Sequence, residues 1–346
     1  MITRKLEETI KRNKLKEEKP YVYEKMNKFD EKLARGESIG IIQFQYNYKC
    51  NFKCVHCSIK GFQGKQNKRS FTLDDVRELS RQADELGLAR FTITGGEPLI
   101  FKDFDKLVEA IDPQKFYIDT DTNGWFLDLN MARHLKAIGI DGVHISLDNL
   151  YADDHDDFRK AKGSWLRVMN SIQWAKETGL NHYIQTVVTK QRLYSDEFLK
   201  FVQYLNDMDV GVFITYAKPV GAWEGNFDVL INKKDINYVR ELEKTHKLFT
   251  HLTPGYGRNL GCIAVKGIFS ITQYGDVLPC PYIHISIGNV FEEPLKDILE
   301  RGMNIKYFGK YVDTCLIAED RKFIDKYNAS GRTRSFYKKN DPQKSQ

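Results

Sequence analysis

Cys50, Cys54 and Cys57 stand in the order C-x3-C-x2-C within one short segment, Cys50-Asn-Phe-Lys-Cys54-Val-His56-Cys57. Three thiolates so spaced can bind three irons of a four-iron cluster and leave the fourth without a protein ligand. An open iron permits inner-sphere chemistry, because a cofactor or substrate can coordinate there. The competing reading is a zinc knuckle completed by His56 or a distant cysteine, although closed zinc sites more commonly pair two C-x2-C units. A second candidate is Thr94-Gly95-Gly96-Glu97-Pro98. Glycines let backbone approach a ligand closely, and the adjacent carboxylate can accept hydrogen bonds from an ammonium group. An ordinary turn is the default for those five residues alone. Further on come the turn Asp121-Thr122-Asn123-Gly124, then Ser146-Leu147-Asp148, His155 and Arg159. The remaining cysteines, Cys262, Cys280 and Cys315, lie far down the chain, Cys280 within Gly275-Asp-Val-Leu-Pro-Cys280-Pro. They are either ligands or buried structural thiols.

The elements that must position these residues show in the hydrophobic pattern. Short β-rich runs at 41–46, 90–94, 115–120, 141–147, 183–189 and 212–216 alternate with helical patterns. The clearest helix is 73–86, with Thr72 as N-cap and Gly87 just past its end. Others lie near 103–111, 130–138, 164–178 and 195–206. Six strands alternating with helices predict a parallel α/β sheet with right-handed crossovers, as a partial (β/α)6 TIM-like barrel or an open sheet. Either way the site belongs at the carboxyl ends of the strands, and every N-terminal motif above falls just after a strand.

Residues 1–40 read as an N-terminal extension of one or two surface helices, and 41–217 as the barrel. Residues 218–253 form a connection that carries a helix at 233–248. Residues 254–320 read as a small α+β domain, with a hairpin over 266–273 and 276–278 and a helix at 294–302 leading to Cys315. Residues 321–346 read as a basic tail with eight Lys/Arg and two Asp/Glu, which equals the whole chain's net charge of +6. The near-neutral body argues against a broad nucleic-acid face. No stretch approaches the roughly 20 apolar residues of a membrane helix, and no apolar run follows the charged N-terminus. The reading is a cytoplasmic chain without a membrane partner, where clustered thiols bind metal or do chemistry more often than they pair.

The first cysteine triplet, placed after the first barrel strand, resembles the signature of radical S-adenosylmethionine enzymes. The resemblance implies a [4Fe–4S] cluster on Cys50, Cys54 and Cys57 whose free iron chelates the amino and carboxylate groups of S-adenosylmethionine. It implies reductive cleavage to a 5′-deoxyadenosyl radical that abstracts a hydrogen atom from substrate. It places His56, Thr94, Gly95, Gly96, Glu97, Pro98 and Asn123 among the cofactor-binding residues, with Ser146 and Arg159 on the cofactor carboxylate. Asp148 lines the cavity as a candidate catalytic residue, and strand five offers Gln185, Thr186 or Val188 to the adenine.

The C-terminal stretch resembles the SPASM/twitch extension of the same superfamily. A full SPASM module has a further group of four closely spaced cysteines, and this chain offers only Cys315. The resemblance therefore implies one auxiliary [4Fe–4S] cluster on Cys262, Cys280 and Cys315. Three plus three uses all six thiols, which leaves none as a hydrogen-atom donor and ranks epimerisation low. The family's usual electron donor is a flavodoxin or ferredoxin, and the chain is taken as a monomer. The expected substrate is a small polar metabolite such as a sugar, aminocyclitol or nucleotide, oxidised or rearranged. Only some 40 residues precede strand one, which weighs against an N-terminal peptide-recognition domain. Maturation of a ribosomally made peptide is the alternative, and an iron–sulfur electron carrier or zinc-binding module is the non-enzymatic one.

Overall fold

The computed structural model describes residues 4–62, 68–254, 258–327 and 334–335. Three helices, α1 (Arg4–Glu18), α2 (Pro20–Asn27) and α3 (Phe29–Ala34), precede the first strand. Six strands then run in sequence order, each parallel to the next: β1 (Ile41–Asn47), β2 (Arg90–Gly95), β3 (Tyr117–Thr122), β4 (Gly142–Ser146), β5 (Asn181–Val188) and β6 (Val212–Tyr216). All six start and end within two residues of their expected bounds. Their buried side chains include Ile42, Phe44, Phe91, Ile93, Val143 and Ile145, all inaccessible to solvent. Branched and aromatic side chains of this kind suit a pleated surface covered on both faces.

The crossovers are α4 (Leu73–Glu85), α5 (Phe104–Ile111), α6 (Leu129–Ala137), α7 (Ala152–Arg159), α8 (Ser164–Thr178), the short α9 (Lys190–Leu193) and α10 (Asp196–Asp207). Local chemistry sets their ends. Thr72 caps α4 by accepting from the Asp75 amide, while the Asp75 side chain accepts from the Thr72 amide, a reciprocal capping box. Gly179 ends α8 with φ at +68°, in the left-handed region that glycine adopts without strain.

Tertiary pairing adds what the periodicity did not show. The helix expected over 233–248 ends sooner, as α11 (Lys233–Thr245), and Leu248–Thr250 form β7, parallel to β6. A three-residue strand carries too little pattern to separate it from the last turn of a helix; the free edge of β6 decides it. The expected hairpin is present as β8 (Ile268–Ile271) and β9 (Asp276–Leu278). It does not stand apart, because β8 pairs in parallel with β1, Phe269 opposite Ile42. With Gly288–Asn289 beyond β9, the described sheet has ten strands. The C-terminal helices α12 (Leu295–Asn304) and α13 (Arg321–Tyr327) belong to the same core through Leu295, Ile298, Phe323 and Ile324. The expected tail therefore begins with a folded helix, and its residues 328–333 and 336–346 lie outside the described residues.

The N-terminal helices are more than a surface layer. Val22, Met26 and Phe29 are buried with Ile39 and Ala89, each such side chain contributing about 1.5–3 kcal/mol. Lys25 Nζ donates to the Leu88 and Lys115 carbonyls at 3.0 and 2.8 Å and pairs with Asp84 at 2.6 Å. Those carbonyls lie before β2 and β3, so α2 covers the amino ends of the strands, opposite their carboxyl ends. Among the described residues no helix is long and apolar enough to cross a membrane.

Candidate active site

The carboxyl ends of β1 to β6 open into one cavity of about 1200 Å³, its mouth included. Cys50, Cys54 and Cys57 line it, carried on the loop after β1. Cys50 is exposed and the other two are half-buried. The Phe52 amide donates to Cys50 Sγ at 3.4 Å, and Arg159 Nη1 stands 4.0 Å from Cys54 Sγ. Burial pushes the Cys50 thiol up to about 12, and the Phe52 amide opposes it, so metal loading must displace its proton. Among the described residues no three His, Cys, Asp or Glu side chains converge on a single-ion site. Three thiols on one loop that face one cavity can serve a polynuclear cluster with one open iron.

The glycines after β2 serve the cysteine loop. A Cβ on Gly96 would stand 1.8 Å from the Lys49 carbonyl oxygen, and one on Gly95, at φ +129°, 2.3 Å from that of Asn47. The Gly96 and Glu97 amides donate to Asn47 and Lys49 at 2.9 and 2.8 Å. The bare backbone of this segment therefore holds the start of the cysteine loop, a role beyond the expected approach to a ligand. Gly96→Ala should force two backbones apart, at a cost of about 3 kcal/mol, the upper end of the overpacking range. Denaturant unfolding and iron content after reconstitution check it; wild-type values in both would refute the packing role.

Thr94, Gly95, Gly96 and Glu97 line the cavity, together with Asn123, Ser146 and Arg159. His56 lines it too, stacked on Phe158 with ring centres 4.4 Å apart. Burial, with Arg159 adding to it, pushes the His56 imidazole down to about 3, so the ring is neutral. Two expected residues do not reach the cavity. Pro98 instead opens the 3-10 turn Pro98–Ile100. Asp148 is buried behind Arg159, whose Nε donates to its Oδ2 at 2.6 Å. The Val187 amide donates to Asp148 Oδ1 at 2.9 Å. Asp148 thus holds Arg159 and does not itself line the cavity. On β5, Gln185, Thr186 and Val187 line the cavity, whereas Val188 is in the core.

Glu97 accepts from Thr122 Oγ1 and the Asn123 amide, both at 2.7 Å, and from the Leu99 amide at 3.2 Å. Burial pushes its carboxyl up to about 7, against the pull of those donors. The folded chain thus holds a proton that the unfolded chain releases from about pH 4.5 upward. Stability of the cluster-free chain should fall as pH rises across that window. Glu97→Gln should remove a fall of roughly 3 kcal/mol, measured by urea unfolding at about pH 5 and about pH 8. The same pH slope in both proteins would assign it elsewhere.

Cys262, Cys280 and Cys315 come from three loops that cross-connect. The Cys262 amide donates to Val312 at 2.7 Å, the Val265 amide to Pro279 at 2.8 Å and the Cys315 amide to Glu319 Oε2 at 2.6 Å. Burial lowers the Lys218 pKa, and all three cysteines oppose that shift. Burial pushes the Cys315 thiol up to about 12, opposed by Lys218, so metal loading must displace its proton. This triad does not line the cavity. Lys218, Pro281 and Tyr282 do, the last two directly after Cys280 in the chain.

Several lining residues escaped the sequence: Gln43, Gln45, Thr215, Lys218 and Tyr282. The glutamines alternate with buried apolar residues along β1, a signal for an inward polar face. Gly221, in the connection after β6, has φ +62° and packs against the Cys57 and Ser58 carbonyls, and Trp223 lies beside His56 of the cysteine loop.

Residues 45–205 match the family model described as the radical SAM superfamily, and residues 262–319 match SPASM, an iron–sulfur cluster-binding domain. A GTP 3′,8-cyclase of Haemophilus influenzae is 31% identical over 255 residues, covering 66% of this chain and 74% of that protein. An AdoMet-dependent heme synthase of Nitratidesulfovibrio vulgaris is 23% identical over 329 residues, covering 84% and 89%. Among solved structures, Streptococcus suis SuiB bound to its precursor peptide SuiA matches with a TM-score of 0.60 at 18% identity, covering 80% of this chain and 69% of that one. Native anSMEcpe with bound AdoMet matches with a TM-score of 0.58 at 19% identity, covering 75% and 80%.

Proposed function

The chain belongs to the radical SAM superfamily and carries a SPASM domain, and on that premise we propose that it oxidises or rearranges a small polar metabolite. The family brings S-adenosylmethionine, a [4Fe–4S] cluster and auxiliary iron–sulfur binding. Bound together, these supply a carbon radical able to take a hydrogen atom from an unactivated carbon. In this reading Cys50, Cys54 and Cys57 hold the radical-generating cluster, and Cys262, Cys280 and Cys315 hold one auxiliary cluster. Thr94, Gly95, Gly96 and Glu97 present backbone and carboxylate acceptors to the cofactor's amino group. Ser146 and Arg159 face its carboxylate, Arg159 held in place by Asp148. His56 offers a neutral, stacked imidazole beside them.

The observation that carries the substrate class is the cavity floor. Gln43, Gln45, Asp121, Gln185 and Thr215 present hydrogen-bonding groups there. Gln185 Nε2 donates to Asp121 Oδ1 at 3.1 Å, and His144 Nδ1 contacts the same oxygen at 2.8 Å. A carboxylate braced in this way, with amides around it, suits hydroxyl or amine donors of a sugar, an aminocyclitol or a nucleotide. The likeness to a GTP 3′,8-cyclase supports a nucleotide-like substrate, and the likeness in fold to SuiB supports the peptide alternative. A flavodoxin or ferredoxin supplies the electron, and the chain works as a cytoplasmic monomer.

The test is anaerobic. Reconstituted protein is given S-adenosylmethionine, dithionite and a cell extract split into small-metabolite and peptide fractions. Release of 5′-deoxyadenosine should rise above its uncoupled level with the small-metabolite fraction. A rise with the peptide fraction alone would reverse the assignment, and no 5′-deoxyadenosine from iron-loaded protein would remove the proposed chemistry altogether.

A further inference from the structure

Lys218, directly after β6, is 5% exposed and lines the cavity. Lysine is almost never so buried without a partner, because burial disfavours its charged form. Among the described residues no carboxylate stands within ion-pair distance of it. Its Nζ donates to the Tyr216 carbonyl at 2.7 Å and lies 4.0 Å from the centre of the Tyr282 ring. Burial lowers its pKa, and the sulfurs of Cys315, Cys280 and Cys262 are near enough to oppose that; Tyr282, under its ammonium, is two residues from Cys280. One buried amine therefore lines the substrate cavity and lies beside the segment that carries Cys280.

We infer that the Lys218 ammonium is the counter-charge of the second triad in its metal-loaded form, and that it raises the reduction potential of the cluster held there. The inference rests on the reading that Cys262, Cys280 and Cys315 hold an auxiliary cluster. The physical cause is simple electrostatics. A reduced cluster carries one more negative charge than the oxidised one, so a fixed cation in a poorly solvated site stabilises the reduced form more. Net charge and surrounding hydrogen bonds are among the factors that set such potentials. Tyr282, two residues from Cys280, holds the ammonium from the cavity side through its ring face. Lys218 is thus a positioning residue for the electron that the auxiliary cluster exchanges, not a ligand.

The test uses the full chain with Cys50, Cys54 and Cys57 all replaced by alanine, so that only the second triad can bind iron. About four irons per chain are expected. Anaerobic redox titration followed by electron paramagnetic resonance then compares Lys218 with Lys218→Met and Lys218→Arg. The methionine variant should have a more negative midpoint potential, by a tenfold or greater change in the reduction equilibrium, about 59 mV for a one-electron couple. The arginine variant should stay near the parent. Lys218→Gln gives the same comparison with a polar side chain if the methionine protein does not fold. Folded Met or Gln protein that takes up no iron while the Arg protein loads would also support the role of the charge. Equal midpoints in the charged and uncharged proteins would overturn it. Absence of iron from the triple-alanine protein with Lys218 intact would instead overturn the assignment of the triad.

Discussion

Alanine at Cys54 should reduce S-adenosylmethionine cleavage to background and halve the iron of the reconstituted chain, from about eight to about four per molecule. Two thiolates cannot hold a cluster that needs three protein ligands and one open iron. Cys54 is also the member of the triplet nearest a fixed cation, with Arg159 Nη1 4.0 Å from its sulfur. Its loss removes a ligand and leaves a guanidinium beside an empty thiolate position. Cys315→Ala is the matching control. It should also halve the iron, because its thiol is buried with Cys262 near Lys218, yet reductive formation of 5′-deoxyadenosine should survive. Equal loss of cleavage in both variants would mean that the two triads do not serve separate clusters. Full iron in the Cys54 variant would sink the ligand assignment itself.

Asp148→Ala should cost about 3–5 kcal/mol, because it leaves Arg159 as a buried charge without its carboxylate. For a domain whose net stability is about 5–15 kcal/mol, that is a large share. Burial raises the Asp148 pKa, but Arg159 together with His56, His155 and the Val187 amide outweighs it and holds the carboxyl well below the usual range. The pair's contribution is therefore present above the ordinary carboxylate range and fades only as pH falls through and below it. The Val187 amide loses its acceptor at the same time. Urea unfolding of the cluster-free protein measures the loss. A double variant, Asp148→Leu with Arg159→Met, should unfold closer to wild type than the single one, since a buried pair can be replaced by apolar groups more cheaply than it can be broken. A double variant no better than Asp148→Ala would show that the cost lies in packing, not in the stranded charge.

The sequence alone determined what depends on neighbours along the chain. Three thiolates on one short loop limit the ways in which that loop can bind metal. The spacing of apolar residues set six strands and their crossovers, and Thr72, Gly87 and Gly179 marked helix ends through local hydrogen bonds and backbone freedom. The tertiary structure decided whatever depends on residues far apart in sequence. Asp148 and Pro98 sat inside motifs that pointed to the cavity, but packing turned one behind Arg159 and put the other at the start of a 3-10 turn. The glycines after β2 looked like a ligand cradle, and the contact with residues 47–49 showed that a backbone already fills the space of their missing side chains. β8 joins β1 across more than two hundred residues because an open strand edge needs a partner. Lys218 carries no motif at all. Only the fold buries its amine in the cavity wall within reach of three cysteines distant in sequence, where the low dielectric makes a single charge matter.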